Sequence, residues 1–517
     1  MAKLPLLIEA LLYPRAYPHN PQKIELAQTQ MSFLFLTGGY VYKVKKPVDL
    51  GYLDYTTLEK RNFFCHQELK LNKRLCPEVY LAVVPITEEK GQFWVEGEGR
   101  AVEYAVKMLQ LPQERMMDFL LSANRLTSEM VIKVAQKLAD FHQKAETNPK
   151  ISTFGNLSAI TQNADENFTQ TEKCIDVTIS SQKYRYIEAY TESFIREKAS
   201  LFEKRVKEGR IRDCHGDLHA AHICFSDDIC IYDCIEFNDR FRYCDIVSEV
   251  AFLAMDLDRY GRGDLSNDFV RAYVELNQDE ELMGLLNFYK CYRAYVRGKV
   301  ESFKLDDVYI SEQEKGKTLA VARSYFDLAY RYTHSKLRLF MTTGLVGTGK
   351  TTVAQALGKR LGLVVISSDI VRKRLAGIPV TEHRFEEYRG GIYAEDFSRR
   401  TYDEMFAEAE KFLSQGQSVI LDASFKKREY RLQAKALAGE MGAEFFVIEC
   451  VLNEKTVKER LELRLKEETT SDGRWEIFGL QKQEFDKVVE FPSESRIIVD
   501  TSEPVDKVVE LILKKVA

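Results

Sequence analysis

At 517 residues the chain is too long for one hydrophobic core, and domains of about 100–200 residues predict two or three of them. Hydrophobic residues make up 45% and charged residues 30%, the balance of an ordinary soluble globular protein. The net charge of −5 excludes a global electrostatic footprint for nucleic acid and leaves only a local basic groove open.

The amino terminus, MAKLPLLIEALLYPRAYPHN, has a short apolar run interrupted by Pro5, Glu9 and Pro14, which does not fit a signal peptide. No apolar stretch approaches the roughly 18–20 residues that span a bilayer, so a cytoplasmic location is expected. Met31–Leu36 and Tyr40–Lys46 are apolar runs about a Gly-containing turn, the pattern of a hairpin. A helix is expected over Thr57–Leu75, with Phe63, Phe64, Leu69, Leu71 and Leu75 as its buried stripe. YLAVVPI and the stretch from Phe93 to Met108 supply further strands. Helical periodicity dominates from about 113 to 335, interrupted by a β-rich island from Ile211 to Phe237. Five of the ten cysteines lie in or beside that island (Cys214, Cys224, Cys230, Cys234, Cys244). Without a CxxC pair they read as small buried hydrophobes, with a metal or redox role as the lesser alternative. After about Thr333–Lys336, strands and helices alternate to the end, which predicts a parallel sheet covered on both faces.

Within this last part, Gly344-Leu345-Val346-Gly347-Thr348-Gly349-Lys350-Thr351 matches G-x-x-x-x-G-K-[ST] between a strand and a helix, with Thr352 continuing into the helix. Glycines let backbone N–H groups turn inward onto phosphate oxygens. Lys350 then reaches the β/γ-phosphates, and the Thr351 hydroxyl holds Mg²⁺. Ser368-Asp369-Ile-Val-Arg372 follows the second strand, and Val419-Ile-Leu-Asp422 is an apolar strand ending in a carboxylate. Around these motifs residues 337–517 resemble the small P-loop kinases of the polynucleotide kinase, zeta toxin, chloramphenicol phosphotransferase and gluconate kinase types. The resemblance implies that Asp369 is the base for the acceptor hydroxyl and that Arg372 holds the acceptor. It also implies that Asp422 is a Walker B carboxylate at the metal, and that Arg460 and Arg464, with Glu459 and Arg474 nearby, lie in a lid that neutralises the transferring phosphoryl group. Tyr393, Arg399 and Tyr402 fall where acceptor pockets form. The bland readings are an N-cap Asp with a surface Arg, a turn Asp and solvated helix charges.

The β island holds Arg212-Asp-Cys-His215-Gly216-Asp217-Leu218-His219-Ala-Ala-His222, then Ile231-Tyr-Asp233-Cys-Ile-Glu236. Here residues 20 to 335 resemble the aminoglycoside phosphotransferase family, whose architecture is that of the protein kinases. The resemblance implies Asp217 as the base and Asp233 as a Mg²⁺ ligand. Lys43, with Lys45 as runner-up, is then the phosphate lysine and Glu68 its helix partner. The family has Asn where this chain has His222, a softer ligand that fits Mn²⁺ better than Mg²⁺. A zinc site of His215, His219 and His222 is the alternative, weakened by the flanking Asp217 and Asp233 and by the lack of a Cys pair at zinc spacing.

The two halves together resemble bifunctional bacterial proteins that fuse an aminoglycoside phosphotransferase-like domain to an ATP-binding P-loop kinase. The expected fold is therefore an α+β kinase-like two-lobe domain over 1–335 (small lobe to about 110), then an α/β P-loop domain with a mainly parallel sheet over 336–517. Each is expected to use ATP and a divalent cation on a hydroxyl-bearing acceptor, most simply a small molecule. The alternative is a 5′-hydroxyl nucleic-acid kinase with a degenerate, regulatory amino-terminal module.

Overall fold

The computed structural model describes residues 4–306, 312–333, 337–379, 382, 389–414, 417–464 and 474–516. The chain divides into two compact units, one of Met1–Tyr260 with Asp268–His334, the other of Gly261–Asn267 with Ser335–Ala517.

The first unit opens on a six-stranded antiparallel sheet, β1 (Glu25–Gln28), β2 (Ser32–Leu36), β3 (Tyr40–Lys45), β4 (Tyr80–Glu89), β5 (Gln92–Val95) and β6 (Ala101–Leu109), in the order β1-β2-β3-β6-β4-β5. The hairpin β2–β3 closes with Leu36 opposite Val41. Because side chains alternate along a strand, Lys43 and Lys45 share one face of β3, and both are buried.

Helix α1 (Leu58–Asn72) starts at Thr57, whose hydroxyl accepts from the Lys60 N–H. Its buried face departs from the expected apolar stripe. Phe63 is 56% exposed, whereas Arg61, Glu68 and Asn72 are buried with Cys65 and Leu71. Ion pairing explains the choice of face. Glu68 meets Lys43 and Lys45, and the Arg61 Nε donates to Glu103 at 2.8 Å, so these charges enter the interior already compensated. Phe63 and Phe64 turn instead to a cavity of about 1150 Å³.

The remainder of this unit is largely helical and includes α2 (Ser128–Lys144), α3 (Ile246–Arg259), α4 (Leu282–Phe303) and α5 (Glu312–Thr333). Two antiparallel pairs interrupt it. One joins β7 (Ile211–Asp213) to β10 (Tyr243–Asp245), and the other joins β8 (Ile223–Phe225) to β9 (Ile229–Ile231). Cys76 and Cys230 form a disulfide with their Cα atoms 4.7 Å apart. That corrects the reading of Cys230 as a free buried hydrophobe. The end of α1 and strand β9 pack into one apolar cluster, which brings the two thiols together. The remaining eight cysteines are free, and all but Cys244 are buried.

The second unit is a five-stranded parallel sheet of β11 (Arg338–Thr343), β12 (Val364–Ser367), β13 (Val419–Asp422), β14 (Glu444–Val451) and β15 (Arg496–Asp500), ordered β12-β13-β11-β14-β15. Alternation along β11 sends Leu339 and Met341 into the core on one face and Phe340 into the core on the other. Each such side chain contributes roughly 1.5–3 kcal/mol on burial. The central strand thus delivers its carboxyl end, and the loop that follows, to the middle of one sheet edge. No helix among the described residues is long and apolar enough to cross a membrane.

Candidate functional site

In the second unit β11 runs into the glycine loop and then α6 (Lys350–Leu361). Gly344 sits at φ +143, and a Cβ there would come within 2.5 Å of the Cys450 carbonyl oxygen. Gly349 caps α6 in the left-handed region at φ +79, so the loop turns without a side-chain clash. The Lys350 Nζ donates to the Leu345 carbonyl at 2.7 Å, folding the ammonium back over the loop. The end of β13 places Asp422 beneath α6, 2% exposed, where it accepts from Thr342 Oγ1 at 3.1 Å and from the Thr351 hydroxyl. Burial pushes the Asp422 carboxyl up and the nearby Asp369 adds to the shift, against the opposing pull of Thr351 and Lys350.

Asp369 comes from the first turn of α7 (Ser368–Leu375), which follows β12. Two carboxylates, a hydroxyl and an ammonium therefore converge at the mouth of the glycine loop. Their hard oxygen atoms fit Mg²⁺. Arg372 lies elsewhere on α7, its Nη1 donating to the Ile392 carbonyl at 2.8 Å and to Ser398 Oγ at 3.2 Å, with its guanidinium 4.7 Å from the Tyr393 ring. Among the described residues no ion pair joins Asp369 to Arg372, and the Arg372 Nε is buried without a partner. Ser398 belongs to α8 (Glu395–Ser414), on which Tyr402 is buried and stacked 4.1 Å from Tyr430.

Arg460, on α9 (Glu454–Arg464), donates to the Thr501 carbonyl at 2.7 Å. Its Nη1 stands 3.4 Å from where a Cβ on Gly349 would be, so it borders the loop. Glu459 is exposed, and Arg474 precedes the helix Trp475–Glu484. The Arg464 side chain lies outside the described residues.

In the first unit, β3, α1, the loop after β7 and the end of β9 bring together Lys43, Glu68, Asp217, His222 and Asp233. Lys43 Nζ is 2.8 Å from Glu68 and 2.5 Å from Asp233. Lys45 takes the second Glu68 oxygen at 2.6 Å and also pairs with Glu236. Burial pulls the Lys43 ammonium down, but Asp233 and Glu68 outweigh it and hold it well above its ordinary value. Asp233 itself is depressed, because Lys43 and then His222 outweigh the cost of burial. Its backbone is left-handed at φ +63, a conformation rarely adopted outside glycine and tolerated by Asp. The Tyr80 hydroxyl accepts from its N–H at 3.2 Å, and Asn72 accepts from the Cys234 N–H at 2.8 Å.

His222 Nδ1–H donates to the Asp217 carbonyl at 2.9 Å, so Nε2 keeps its lone pair and lies 3.6 Å from Asp233 Oδ2. Burial, then the neighbouring His219, lowers its pKa to about 4, leaving a neutral imidazole available as a ligand. His215 is different. Its Nε2–H donates to the Tyr232 carbonyl at 2.9 Å and its Nδ1 accepts from the Asp217 N–H at 3.3 Å. Both ring nitrogens are in use, which corrects the three-histidine zinc alternative. Among the described residues, Asp217, His219 and His222 bring their ligand atoms within 4.8 Å of one another, as do the buried His142, Cys214 and Glu249. Asp217 and Asp233 supply hard oxygen and His222 one nitrogen, a set that fits Mn²⁺ or Mg²⁺.

Glu249 on α3 is the chief residue not singled out from the sequence. Fully buried, it accepts from the N–H of His215 at 2.9 Å and of Gly216 at 2.7 Å, and from His142 Nε2 at 2.8 Å. It fixes the turn that presents Asp217. That turn also requires Gly216, at φ +90, where a Cβ would meet the Phe241 carbonyl oxygen at 2.9 Å. A glutamate inside the apolar run IVSEVAFLAM was the available signal.

Residues 339–488 match the AAA domain family. Over 443 residues the chain is 31% identical to the uncharacterized proteins Rv2004c of Mycobacterium tuberculosis and Mb2027c of Mycobacterium bovis, spanning 85% of this chain and 86% of each of theirs. The chain belongs to their family. Among solved structures, a putative kinase from Chloroflexus aurantiacus is similar at 19% identity over 35% of this chain and 98% of that one, with a TM-score of 0.29.

Proposed function

We propose that the protein is a tandem ATP-dependent phosphotransferase, in which each unit transfers the γ-phosphoryl group to a hydroxyl acceptor. The observation that carries the reading is the convergence of Lys350, Thr351, Asp369 and Asp422 at one glycine loop. In the carboxy-terminal unit the loop N–H groups and Lys350 bind the phosphates, and Thr351 and Asp422 hold Mg²⁺. Asp369 takes the acceptor proton, while Arg372 orients the acceptor side through Tyr393 and Ser398. Arg460, and on the same reading Arg464, offset charge on the transferring group. A Mg²⁺ held by Thr351 and Asp422 would supply charge neutralisation on the phosphates.

In the amino-terminal unit the same chemistry falls to Lys43, ordered by Glu68, at the phosphates, to Asp233 and His222 at the metal, and to Asp217 as base. One observation favours a second reading, in which this unit is a regulatory module beside a carboxy-terminal 5′-hydroxyl nucleic-acid kinase. Lys43 stands 2.5 Å from Asp233 and so occupies a would-be metal ligand. Labelled ATP and a panel of hydroxyl acceptors separate the readings in the full-length chain with Lys350→Ala, Asp217→Asn or both. Two active sites predict that each single variant loses transfer to a different acceptor. Turnover indifferent to Asp217→Asn points to the regulatory reading, and transfer that survives Lys350→Ala with every acceptor refutes the P-loop assignment.

A further inference from the structure

Strand β3 carries two lysines on one face, and they differ in what they can reach. The Lys43 side chain is 11% exposed and that of Asp233 38%, so both open onto the site. Lys45, Glu68 and Glu236 are closed off, at 1%, 0% and 6%. A nucleotide can therefore meet Lys43 but not Lys45. Lys45 is nevertheless fully engaged. Its Nζ donates to Glu68 Oε2 at 2.6 Å, to Glu236 Oε1 and to the Tyr55 hydroxyl at 3.4 Å, and it lies 4.8 Å from the Tyr55 ring. The Tyr55 hydroxyl in turn donates to Glu236 Oε1 at 2.5 Å.

Glu236 follows Asp233 by three residues, so one buried ammonium ties α1 to the segment that leaves the metal carboxylate. Asn72, one turn beyond Glu68 on α1, makes a second tie to that segment by accepting the Cys234 N–H at 2.8 Å. The consequence lies in the Glu68 carboxylate. Facing a single lysine, both of its oxygens would close on that ammonium. Here Lys45 holds Oε2, and Lys43 meets Oε1 at 2.8 Å while donating to Asp233 Oδ1 at 2.5 Å. An ammonium has three N–H donors, which leaves Lys43 one for a phosphate oxygen.

We propose that Lys45, anchored by Glu236 and Tyr55, is a positioning residue of the first unit: it fixes the Glu68 carboxylate so that one oxygen holds Lys43 and presents it to the phosphates. This rests on the reading of Lys43 and Asp233 as the phosphate and metal groups of a phosphotransferase. A network that only braced the fold would change stability and nucleotide binding together. A positioning network separates the two. Without Lys45 the buried Glu236 carboxylate loses its ammonium partner, which costs stability, whereas Glu68 keeps Lys43 but loses the group that orients it.

The test uses the full-length chain carrying Lys350→Ala, which removes phosphate binding by the glycine loop. Calorimetry measures the Kd of a non-hydrolysable ATP analogue with Mn²⁺, Asp233→Asn identifies the binding that belongs to the first unit, and urea unfolding follows each variant. Lys45→Met keeps the side-chain length without the charge, and should both lower stability and weaken Asp233-dependent binding about 10–100-fold, the scale of losing a group that orients a ligand-holding residue. Adding Glu236→Gln removes the orphaned carboxylate, leaves the net charge as in the parent chain and keeps an acceptor for Tyr55. Stability should recover in this double variant while the weakened binding persists. Binding that is indifferent to Lys45→Met, or that recovers with stability in the double variant, overturns the positioning role and leaves the phosphotransfer reading standing. A double variant that does not fold overturns it as well, since the network then holds the fold rather than Glu68. Absence of any Asp233-dependent binding in the parent chain would instead sink the phosphotransfer reading of the first unit, and the positioning role with it.

Discussion

Glu249→Gln is the perturbation that most directly tests how the Asp217 loop is built. The carboxylate accepts from two successive backbone N–H groups and from His142, all inside the core. Burial alone would raise its pKa, but His142 and then the His215 N–H outweigh it and bring the value from 4.5 to about 2. At 1.36 kcal/mol per unit, the ionised form therefore contributes about 3 kcal/mol to folding. Glutamine keeps one acceptor oxygen and points an NH₂ at groups that are themselves donors, so the loss should be about 3–5 kcal/mol. The folded value is depressed, so this contribution is present above pH 4.5 and is lost as the pH falls toward 2. Urea unfolding of the full-length chain followed by Trp94, in a Trp475→Phe background, measures it. The gap between wild type and Glu249→Gln should be full at pH 7 and shrink below pH 4.5. A gap under about 0.5 kcal/mol at pH 7, or one that does not change with pH, would refute the buried-anchor account.

Asp369→Asn should lower turnover of the carboxy-terminal unit by about 10²–10⁴-fold while ATP still binds, since that is the scale of base catalysis. A loss of ATP affinity at unchanged turnover would move Asp369 to the metal site. His222→Asn should shift the metal preference of the amino-terminal unit from Mn²⁺ toward Mg²⁺, because it restores an oxygen ligand; activity in wild type that is highest with Mg²⁺ and indifferent to the substitution would make His222 a packing residue. Cys76→Ser opens a link between residues 154 apart in the sequence and should cost about 2–5 kcal/mol in unfolding experiments under oxidising conditions. Equal stability of the two proteins without reductant would show that the bridge contributes nothing.

The glycine loop was legible because its chemistry is contiguous. The residues that turn the backbone and those that meet the phosphates lie within eight positions, between a strand and a helix that periodicity reveals. The order of strands and helices in the carboxy-terminal half, and Lys43 and Lys45 on one strand face, follow from the same local regularities. Which face of α1 turns inward did not. Phe63 and Phe64 look like core residues, yet the helix buries Arg61, Glu68 and Asn72, because partners on β3, on β6 and beside β9 compensate them. The Cys76–Cys230 bridge, the use of both His215 nitrogens and the turn of Arg372 toward Tyr393 likewise depend on residues distant in the chain. A buried charge or thiol is decided by what stands opposite it, and only the tertiary structure sets that partner.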